Sequence, residues 1–254
     1  MPDPVELPAV LVTGGARRIG AVLSRAFADA GWHVVIHYGR SADAAEALAA
    51  SLPSAETVQC DLADADAAHA MVVELAERLH DWRMLVNCAA VFQPDSALGI
   101  DAHVFAEAMR VNAETPTRMA QAFLLAARAR GGRRVIQFLD QKLLNPNPDF
   151  FSYTMAKHAF AGTVRMMAMA AHAPQDRVYG LAPGAMLPSF DQRPEEHELS
   201  GRMNLLERLT EPEELADAAL FLSQGWLASG ETIIVDSGQH LLAQPRDVLY
   251  LARQ

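Results

Sequence analysis

The stretch Ala-Val-Leu-Val-Thr-Gly-Gly-Ala-Arg-Arg-Ile-Gly, residues 9–20, decides the fold. It begins with an apolar run typical of a buried strand, passes through two glycines and continues into a pattern typical of a helix. A turn of this kind presents backbone N–H groups and the positive end of a helix dipole, which together can hold a phosphate. Glycine alone is weak evidence, because many tight turns use it. The position directly after the first apolar run predicts that the turn over residues 13–20 holds a pyrophosphate.

Outward from this stretch, short apolar runs alternate with longer helical patterns along the whole chain. This alternation is typical of a parallel sheet covered by helices on both faces. It predicts the α/β class, with one Rossmann-type doubly wound domain over residues 1–254 and a seven-stranded parallel sheet. The predicted strands are 9–13, 33–38, 57–60, 84–87, 134–139, 177–181 and 232–235. The predicted helices are 19–30, 43–51, 64–80, 101–130, 151–172 and 212–223.

An irregular stretch over about 184–204 is rich in Pro, Glu and Arg and is too long for an ordinary connection. It predicts a lid-like insertion over a site, with a disordered insertion as the alternative. The segment that follows the last strand either reaches a neighbouring subunit's site or completes the fold.

The composition limits the possible partners and the location. A formal charge of −10 argues against binding to nucleic acid or an anionic membrane. The first twenty residues lack a basic segment followed by an apolar one, and no apolar run approaches a bilayer span, so a cytoplasmic location is expected. Cys60 and Cys88 are expected to be small buried hydrophobic residues, and no Cys/His spacing predicts a metal site. Of the 21 basic residues only Lys142 and Lys157 are lysine, which marks positions where a compact ammonium matters.

The residues after the second strand indicate which dinucleotide would bind. Residues 37–41 are His-Tyr-Gly-Arg-Ser, and no carboxylate follows until Asp43. A site for NAD usually offers an acidic residue here, whereas NADP needs cations that meet its 2′-phosphate. Arg40, the Ser41 hydroxyl and Arg17 could converge on that phosphate, which favours NADP(H). The alternative is that Arg40 merely solvates a loop.

Tyr153 and Lys157 are four residues apart in a predicted helix, so they share one face. A nearby ammonium favours phenolate, and we therefore expect Lys157 to lower the pKa of Tyr153 from its usual value of about 10. Such a tyrosine could donate a proton while hydride arrives from a nicotinamide.

With these motifs in place, the whole chain resembles the short-chain dehydrogenase/reductase family. The resemblance implies that Asn112 orders a water in the proton relay and that Lys157 binds the nicotinamide ribose. The full set of cofactor-binding residues predicted from the motifs and the resemblance is Gly14, Arg17, Arg18, Ile19, Gly20, His37, Tyr38, Arg40, Ser41, Asp61, Leu62, Asn87, Ala89, Tyr153, Lys157, Pro183 and Gly184. Asp61 could bind the adenine amino group or could cap the next helix.

Two departures from the general family pattern narrow the resemblance. Arg18 replaces the middle glycine of the turn, and Asp140 replaces the usual serine at the end of the fifth strand. Both departures occur together in the pteridine reductases and the related dihydromonapterin reductases. The resemblance then implies that Arg18 and Phe92 contact a pterin, with Phe92 sandwiching it against the nicotinamide. It also implies that Asp140 and Tyr153 deliver protons.

The predicted function is an NADPH-dependent reductase that transfers a hydride to a C=N bond of a pterin or dihydrofolate. One alternative is a short-chain reductase of a carbonyl or alcohol, with Asp140 bonded to backbone amides and Phe92 serving only packing. A second is a non-catalytic NADP-binding sensor. The resemblance also implies a homotetramer in which the helices over 101–130 and 151–172 pair between subunits.

Overall fold

The computed structural model of the chain describes residues 7–171, 173–189 and 191–254. Its centre is a sheet of seven strands, all parallel, in the order β3-β2-β1-β4-β5-β6-β7. The strands are β1 (Ala9–Val12), β2 (His33–Tyr38), β3 (Ala55–Gln59), β4 (Trp82–Asn87), β5 (Arg134–Phe138), β6 (Arg177–Pro183) and β7 (Thr232–Val235). The predicted α/β fold is confirmed, with strand bounds that move by at most two residues at either end.

The strand order reverses beside β1, which lies between β2 and β4. In open parallel sheets, ligands bind at the carboxyl ends of the strands at such a switch point. Thr13, directly after β1, connects to the loop that follows β4, because its hydroxyl oxygen accepts a hydrogen bond from the backbone N–H of Ala89 at 3.0 Å. The topology therefore places the glycine turn beside the loop that follows β4.

Helices cover both faces of the sheet. They are α1 (Arg18–Asp29), α2 (Ala42–Ser51), α3 (Ala65–Arg78), α4 (Ala102–Met109), α5 (Thr115–Ala126), α6 (Phe151–Ala170), α7 (Pro194–Gly201), α8 (Pro212–Ser223) and α9 (Val248–Leu251). Phe27, Leu48 and Leu222 bring α1, α2 and α8 onto one face, and Met71, Phe123 and Phe160 bring α3, α5 and α6 onto the other. In the part of the chain that the structure describes, no helix has the length and apolar character needed to cross a membrane.

The single helix predicted over 101–130 is wrong in its interior and at its end. It is divided into α4 and α5 by a π-helical turn, Arg110–Glu114, and α5 ends at Ala126. The turn contains Asn112, and π-turns of this kind are found frequently at functional sites. The helix predicted over 151–172 ends at Ala170, and residue 172 lies outside the described residues.

The stretch predicted to be irregular over 184–204 contains helix α7, so that prediction is wrong over 194–201. Pro194 begins the helix, and Glu196 accepts hydrogen bonds from the backbone N–H and the side chain of Arg193. A proline at the first helical position and acidic residues in the first turn both favour helix initiation. Residue 190 lies outside the described residues.

Candidate active site

A cavity of about 440 Å³ lies at the carboxyl ends of β1, β4, β5 and β6. It contains residues from the glycine turn, the loop after β4, the end of β5, helix α6 and the loop after β6. Of the predicted site residues, those that line it are Gly14, Arg17, Arg18, Ile19, Gly20, Ala89, Phe92, Asp140, Tyr153, Lys157, Pro183 and Gly184.

The glycine turn is built for close approach of a ligand to its backbone. Gly14 has φ +64°, a left-handed conformation that glycine adopts without steric cost. A side chain at Gly20 would collide with the carbonyl of Gly14, so the helix can begin directly against the turn only with glycine there. Arg17 occupies the N-cap of α1 and makes no side-chain cap hydrogen bond among the described residues. The N–H groups of the first turn are therefore available to an anion.

Arg18 also has a left-handed backbone, with φ +52°. This conformation explains why glycine is the residue expected at this position from the family pattern. A non-glycine residue in such a conformation costs about 1–3 kcal/mol. The exposed side chain of Arg18 lines the cavity, where it adds a cation to the end of the glycine turn.

His37 is a predicted cofactor-binding residue, but both of its ring nitrogens are bonded inside the protein, so neither is left for a ligand. Nδ1 accepts the backbone N–H of Gly14 at 3.1 Å, and Nε2 donates to the carbonyl of Cys60 at 3.1 Å. Burial lowers the pKa of His37 to about 4, against the opposing effect of the Cys60 hydrogen bond. The neutral ring holds the glycine turn from behind.

The remaining residues predicted for the adenosine end lie outside the cavity, beyond β2 and β3. Arg40 is exposed, and Ser41 occupies the N-cap of α2 without a side-chain cap hydrogen bond among the described residues. The Asp61 carboxylate accepts the backbone N–H of Ala63 at 3.0 Å, and it is Asp64 that caps α3. The alternative in which Asp61 caps the helix is therefore wrong. Tyr38 is half-buried and Leu62 is buried.

Two predicted asparagines have inward side chains. Asn87 donates to the carbonyl of Pro116 at 3.0 Å and to the side-chain oxygen of Gln137 at 2.8 Å. Asn112 accepts the backbone N–H of Val91 and donates to the carbonyl of Val91, both at 2.8 Å. The π-turn therefore fixes the loop after β4, and Asn112 makes no lining contact with the cavity.

Asp140, Tyr153 and Lys157 form a polar group against one wall of the cavity, in which Tyr153 and Lys157 are buried and Asp140 is half-buried. The Tyr153 hydroxyl donates to Oδ2 of Asp140 at 2.8 Å, while Oδ1 accepts the backbone N–H of Lys142 at 2.8 Å. Nζ of Lys157 donates to the carbonyl of Phe138 at 2.5 Å and lies 5.6 Å from the centre of the Tyr153 ring. Asp140 therefore accepts a backbone N–H, as the alternative with a structural role for Asp140 predicts, and it also accepts the hydroxyl of Tyr153.

Burial sets the protonation of these groups. It raises the pKa of Tyr153 well above its ordinary value, and the Asp140 charge adds to the effect. The predicted lowering of that pKa by Lys157 is therefore wrong in this structure. Burial also raises the pKa of Asp140, against the charge of Lys142, and lowers the pKa of Lys157 to about 8, against the charge of Asp140. Asp140 and Tyr153 are both acids that hold their protons more firmly than in water.

Phe92 provides an aromatic wall. Its ring stacks on Phe150 with centres 4.0 Å apart and meets the Tyr153 ring edge-on at 4.7 Å. Phe92 therefore packs against the protein and lines the cavity at the same time.

Several lining residues were not predicted. The cavity is also lined by Ser189, Gln192, His197 and Ser200 from the stretch 184–204, by Gln141 and Lys142 after β5, and by Gln239, Asp247, Val248 and Leu249 after β7. The lid predicted over about 184–204 covers four of these residues, and Lys142 carried a signal as one of the chain's two lysines. The described residues include no group of three or more His, Cys, Asp or Glu side chains placed to hold a metal ion.

An uncapped helix end at the switch point, beside a buried tyrosine and lysine and a half-buried aspartate, defines a nucleotide-binding oxidoreductase of the doubly wound class. Residues 14–240 match the family described as enoyl-(acyl carrier protein) reductase. Pteridine reductase 1 of Leishmania tarentolae is 30% identical, over 92% of this chain and 96% of its own. The chain belongs to the short-chain dehydrogenase/reductase family, as predicted.

Solved structures show the same likeness. FolM alternative dihydrofolate reductase 1 from Brucella canis, complexed with NADP, is 35% identical with a TM-score of 0.86, and the match covers 94% of this chain and 96% of that one. The angucycline C-6 ketoreductase LanV with bound NADP is 27% identical with a TM-score of 0.82, over 92% and 96% of the two chains.

Proposed function

We propose that the protein is an NADPH-dependent reductase that transfers a hydride to a C=N bond of a pterin or dihydrofolate and protonates the ring nitrogen. The observation that carries the proposal is the hydrogen bond from Tyr153 to the half-buried Asp140 at the cavity wall. A carboxyl whose pKa is raised can act as a proton donor, which suits a basic ring nitrogen better than it suits a ketone oxygen. The similarity to a pteridine reductase and to an alternative dihydrofolate reductase supports the same substrate class.

The site fits NADP(H). The uncapped N-terminus of α1 and the left-handed Gly14 would hold the pyrophosphate, with Arg17 and Arg18 beside it. Arg40, the Ser41 hydroxyl and Arg17 would bind the 2′-phosphate, since Arg40 and Arg17 are exposed and Ser41 makes no side-chain cap hydrogen bond among the described residues. The remaining predicted contacts are those of Ile19, Gly20, Tyr38, Asp61, Leu62, Asn87, Ala89, Lys157, Pro183 and Gly184. NADP bound in two structural neighbours supports this choice of cofactor.

When bound, NADPH would supply the hydride. Phe92 would lie against one face of the flat substrate ring, and Arg18 would contact both substrate and cofactor phosphates. Asp140 and Tyr153 would act as one coupled acid that gives a proton to the ring nitrogen as the adjacent carbon receives the hydride. Lys157 would hold the nicotinamide ribose, and Asn112 would order a water that returns protons to the pair.

The experiment is NADPH oxidation by the purified protein with dihydrobiopterin, dihydromonapterin, dihydrofolate and a panel of ketones and quinones, alongside NADH controls. Turnover of a pterin or folate with NADPH preferred is the expected result. In the Asp140→Ser variant, pterin turnover should fall by about 10²-fold or more, the usual contribution of a positioned acid. An unaltered pterin rate in that variant would remove Asp140 from the mechanism.

A second candidate function is reduction of a carbonyl or alcohol-level substrate, and the similarity to LanV favours it. Activity on ketones without activity on pterins would establish this alternative while leaving Tyr153 and Lys157 in place. A non-catalytic NADP sensor is the third candidate. NADPH binding without turnover across the whole panel would support it.

The proposal includes a homotetramer in the cytoplasm. Leu125 of α5 and Met166 and Met169 of α6 are 67%, 63% and 81% exposed in the single chain. These residues belong to the helices that the family resemblance pairs between subunits, and their burial there would remove an apolar patch from water. Residues 184–204, including α7, would act as a lid over the substrate.

A further inference from the structure

Lys142 is a buried lysine whose ammonium is fully used within the protein. Its side chain is 6% exposed, and Nζ lies 2.6 Å from Oδ2 of Asp247. Nζ also lies 3.3 Å from Oδ1 of Asn147 and 3.3 Å from the carbonyl oxygen of Asp149. These three acceptors match the three N–H groups of an ammonium, so Lys142 has no donor left for a ligand although it lines the cavity.

The partner of Lys142 belongs to the segment 239–253, which we call the strap. The strap is attached to the loop 141–150 by more than this ion pair. Oδ2 of Asp149 accepts both the side-chain Nε of Arg246 at 2.7 Å and the backbone N–H of Asp247 at 2.8 Å. The loop therefore fixes the strap by side chains and backbone together.

The far end of the strap is attached to α7 and to Asp191 before it. Nε of Arg253 donates to Glu196 of α7 at 3.1 Å, and its guanidinium lies 3.2 Å from the carboxylate of Asp191. Between these two attachments, Val248 and Leu249 line the cavity. The strap thus crosses the cavity from the loop after β5 to α7.

The strap also packs on the catalytic group. Leu249 is 5% exposed and belongs to one apolar cluster with Phe150 and Tyr153, against which Phe92 also packs. Lys142 connects the strap to Asp140, since its backbone N–H donates to the Asp140 carboxylate and its ammonium binds Asp247. One residue therefore sets the distance between the proposed proton donor and the strap.

We propose that Lys142 is a positioning residue that fastens the strap over the substrate end of the cavity, so that the closed site depends on the Lys142–Asp247 ion pair. Removing one partner of a buried ion pair leaves a lone buried charge, which strongly disfavours that arrangement. Without the ammonium, Asp247 would turn toward water and the strap would open. The inference rests on the proposed function for the identity of the substrate, but not for the opening itself.

The test is Lys142→Met, which keeps the length of the side chain and removes its charge. If the strap is then closed only about a tenth of the time, the KM for the dihydropterin should rise about tenfold. The kcat should change less than the KM, and the Kd for NADPH should stay within about twofold, because the glycine turn lies outside the strap. Arg133→Met is the matched control, since it removes the cation of another buried ion pair, with Asp176, at the amino end of β5. It should leave the KM unchanged.

Hydrogen exchange of the strap amides gives a readout that needs no turnover. Exchange over 239–253 should accelerate in Lys142→Met and stay unchanged in Arg133→Met. Asp247→Asn should behave like Lys142→Met and carries the test if that variant does not fold, because it keeps the size of the side chain and an acceptor for Leu249. Strap amides that remain protected with an unchanged KM, or a KM that rises together with the NADPH Kd, would overturn the inference. Accelerated exchange in a protein that reduces no pterin would support the strap and reject only the proposed substrate.

Discussion

The hydroxyl of Tyr153 donates its hydrogen to Oδ2 of Asp140 at 2.8 Å, inside a cavity wall that raises the pKa of both groups. The two acids form a coupled pair whose protons leave in steps that belong to the pair and not to either residue. This relationship changes the task assigned to the tyrosine. Tyr153 does not need to form a phenolate easily, because Asp140 can hold the proton that is delivered to the substrate.

Removing the tyrosine hydroxyl should abolish most turnover. In Tyr153→Phe we expect kcat to fall about 10³-fold, within the range of a lost general acid, while the NADPH Kd stays within about twofold. Stopped-flow absorbance of NADPH and a fluorescence titration measure the two quantities. Tyr179→Phe is the control, because it removes a comparable hydroxyl group, which donates a hydrogen bond to the carbonyl of Leu227 within the core. Equal losses in the two variants would assign the effect to stability instead of chemistry.

The charge of Lys157 should produce an alkaline limit to activity. Burial lowers its pKa to about 8, so the ammonium is present below that pH and is lost as the pH rises through it. We therefore expect kcat/KM, which reports the free enzyme, to fall above about pH 8. In Lys157→Arg the remaining activity should show no fall there, since a guanidinium stays charged. A profile that stays level through pH 9 in the unaltered enzyme would contradict the role of this charge.

Arg40 should control the choice between the two dinucleotides. Arg40→Ala is expected to weaken NADPH binding about 30-fold, the effect of losing a hydrogen bond between charged groups, and to change NADH binding little. Isothermal titration with both cofactors measures this. Arg25→Ala is the matched control, because Arg25 is another exposed arginine, which donates to Ser51 at the end of α2. If NADPH preference survives in Arg40→Ala, the 2′-phosphate lies elsewhere.

Arg18 should show opposite effects on stability and binding. Arg18→Gly relieves a left-handed non-glycine residue and is expected to stabilise the fold by about 1 kcal/mol. The same change removes a cation from the cavity and should weaken the binding of NADPH and of the substrate. Urea unfolding and binding titrations test both expectations. Arg17→Gly, at an extended φ of −142°, should give no such stabilisation. Equal unfolding midpoints for the two variants would exclude strain at Arg18.

Local patterns in the sequence predicted most of the fold. The strand His33–Tyr38 and the helix Pro212–Ser223 have the predicted bounds, because apolar periodicity, a proline and flanking turn residues mark them within a few positions. The π-turn at Asn112 has no such mark. Its extra residue per turn is visible only once the helix packs against the loop after β4.

The site was predicted in part for the same reason. The spacing of Tyr153 and Lys157 and the glycine turn are local features, and both line the cavity. The attachment of the strap joins Arg246 to Asp149 across 97 positions, so no local pattern could indicate it. The pKa of Tyr153 depends on burial and on Asp140, and spacing to Lys157 alone gave the wrong direction.

The neutral ring of His37 determines how cofactor binding should respond to acid. With a pKa of about 4 and both nitrogens bonded, it stays uncharged across the physiological range, although histidine is the usual sensor there. A phosphate monoester loses its second proton near pH 6, at about the point where an ordinary histidine would titrate. If NADPH affinity changes between pH 5 and 7, we therefore expect the change to report ionisation of the dinucleotide's own 2′-phosphate. His37 and the glycine turn that it holds would keep the same charge over this range.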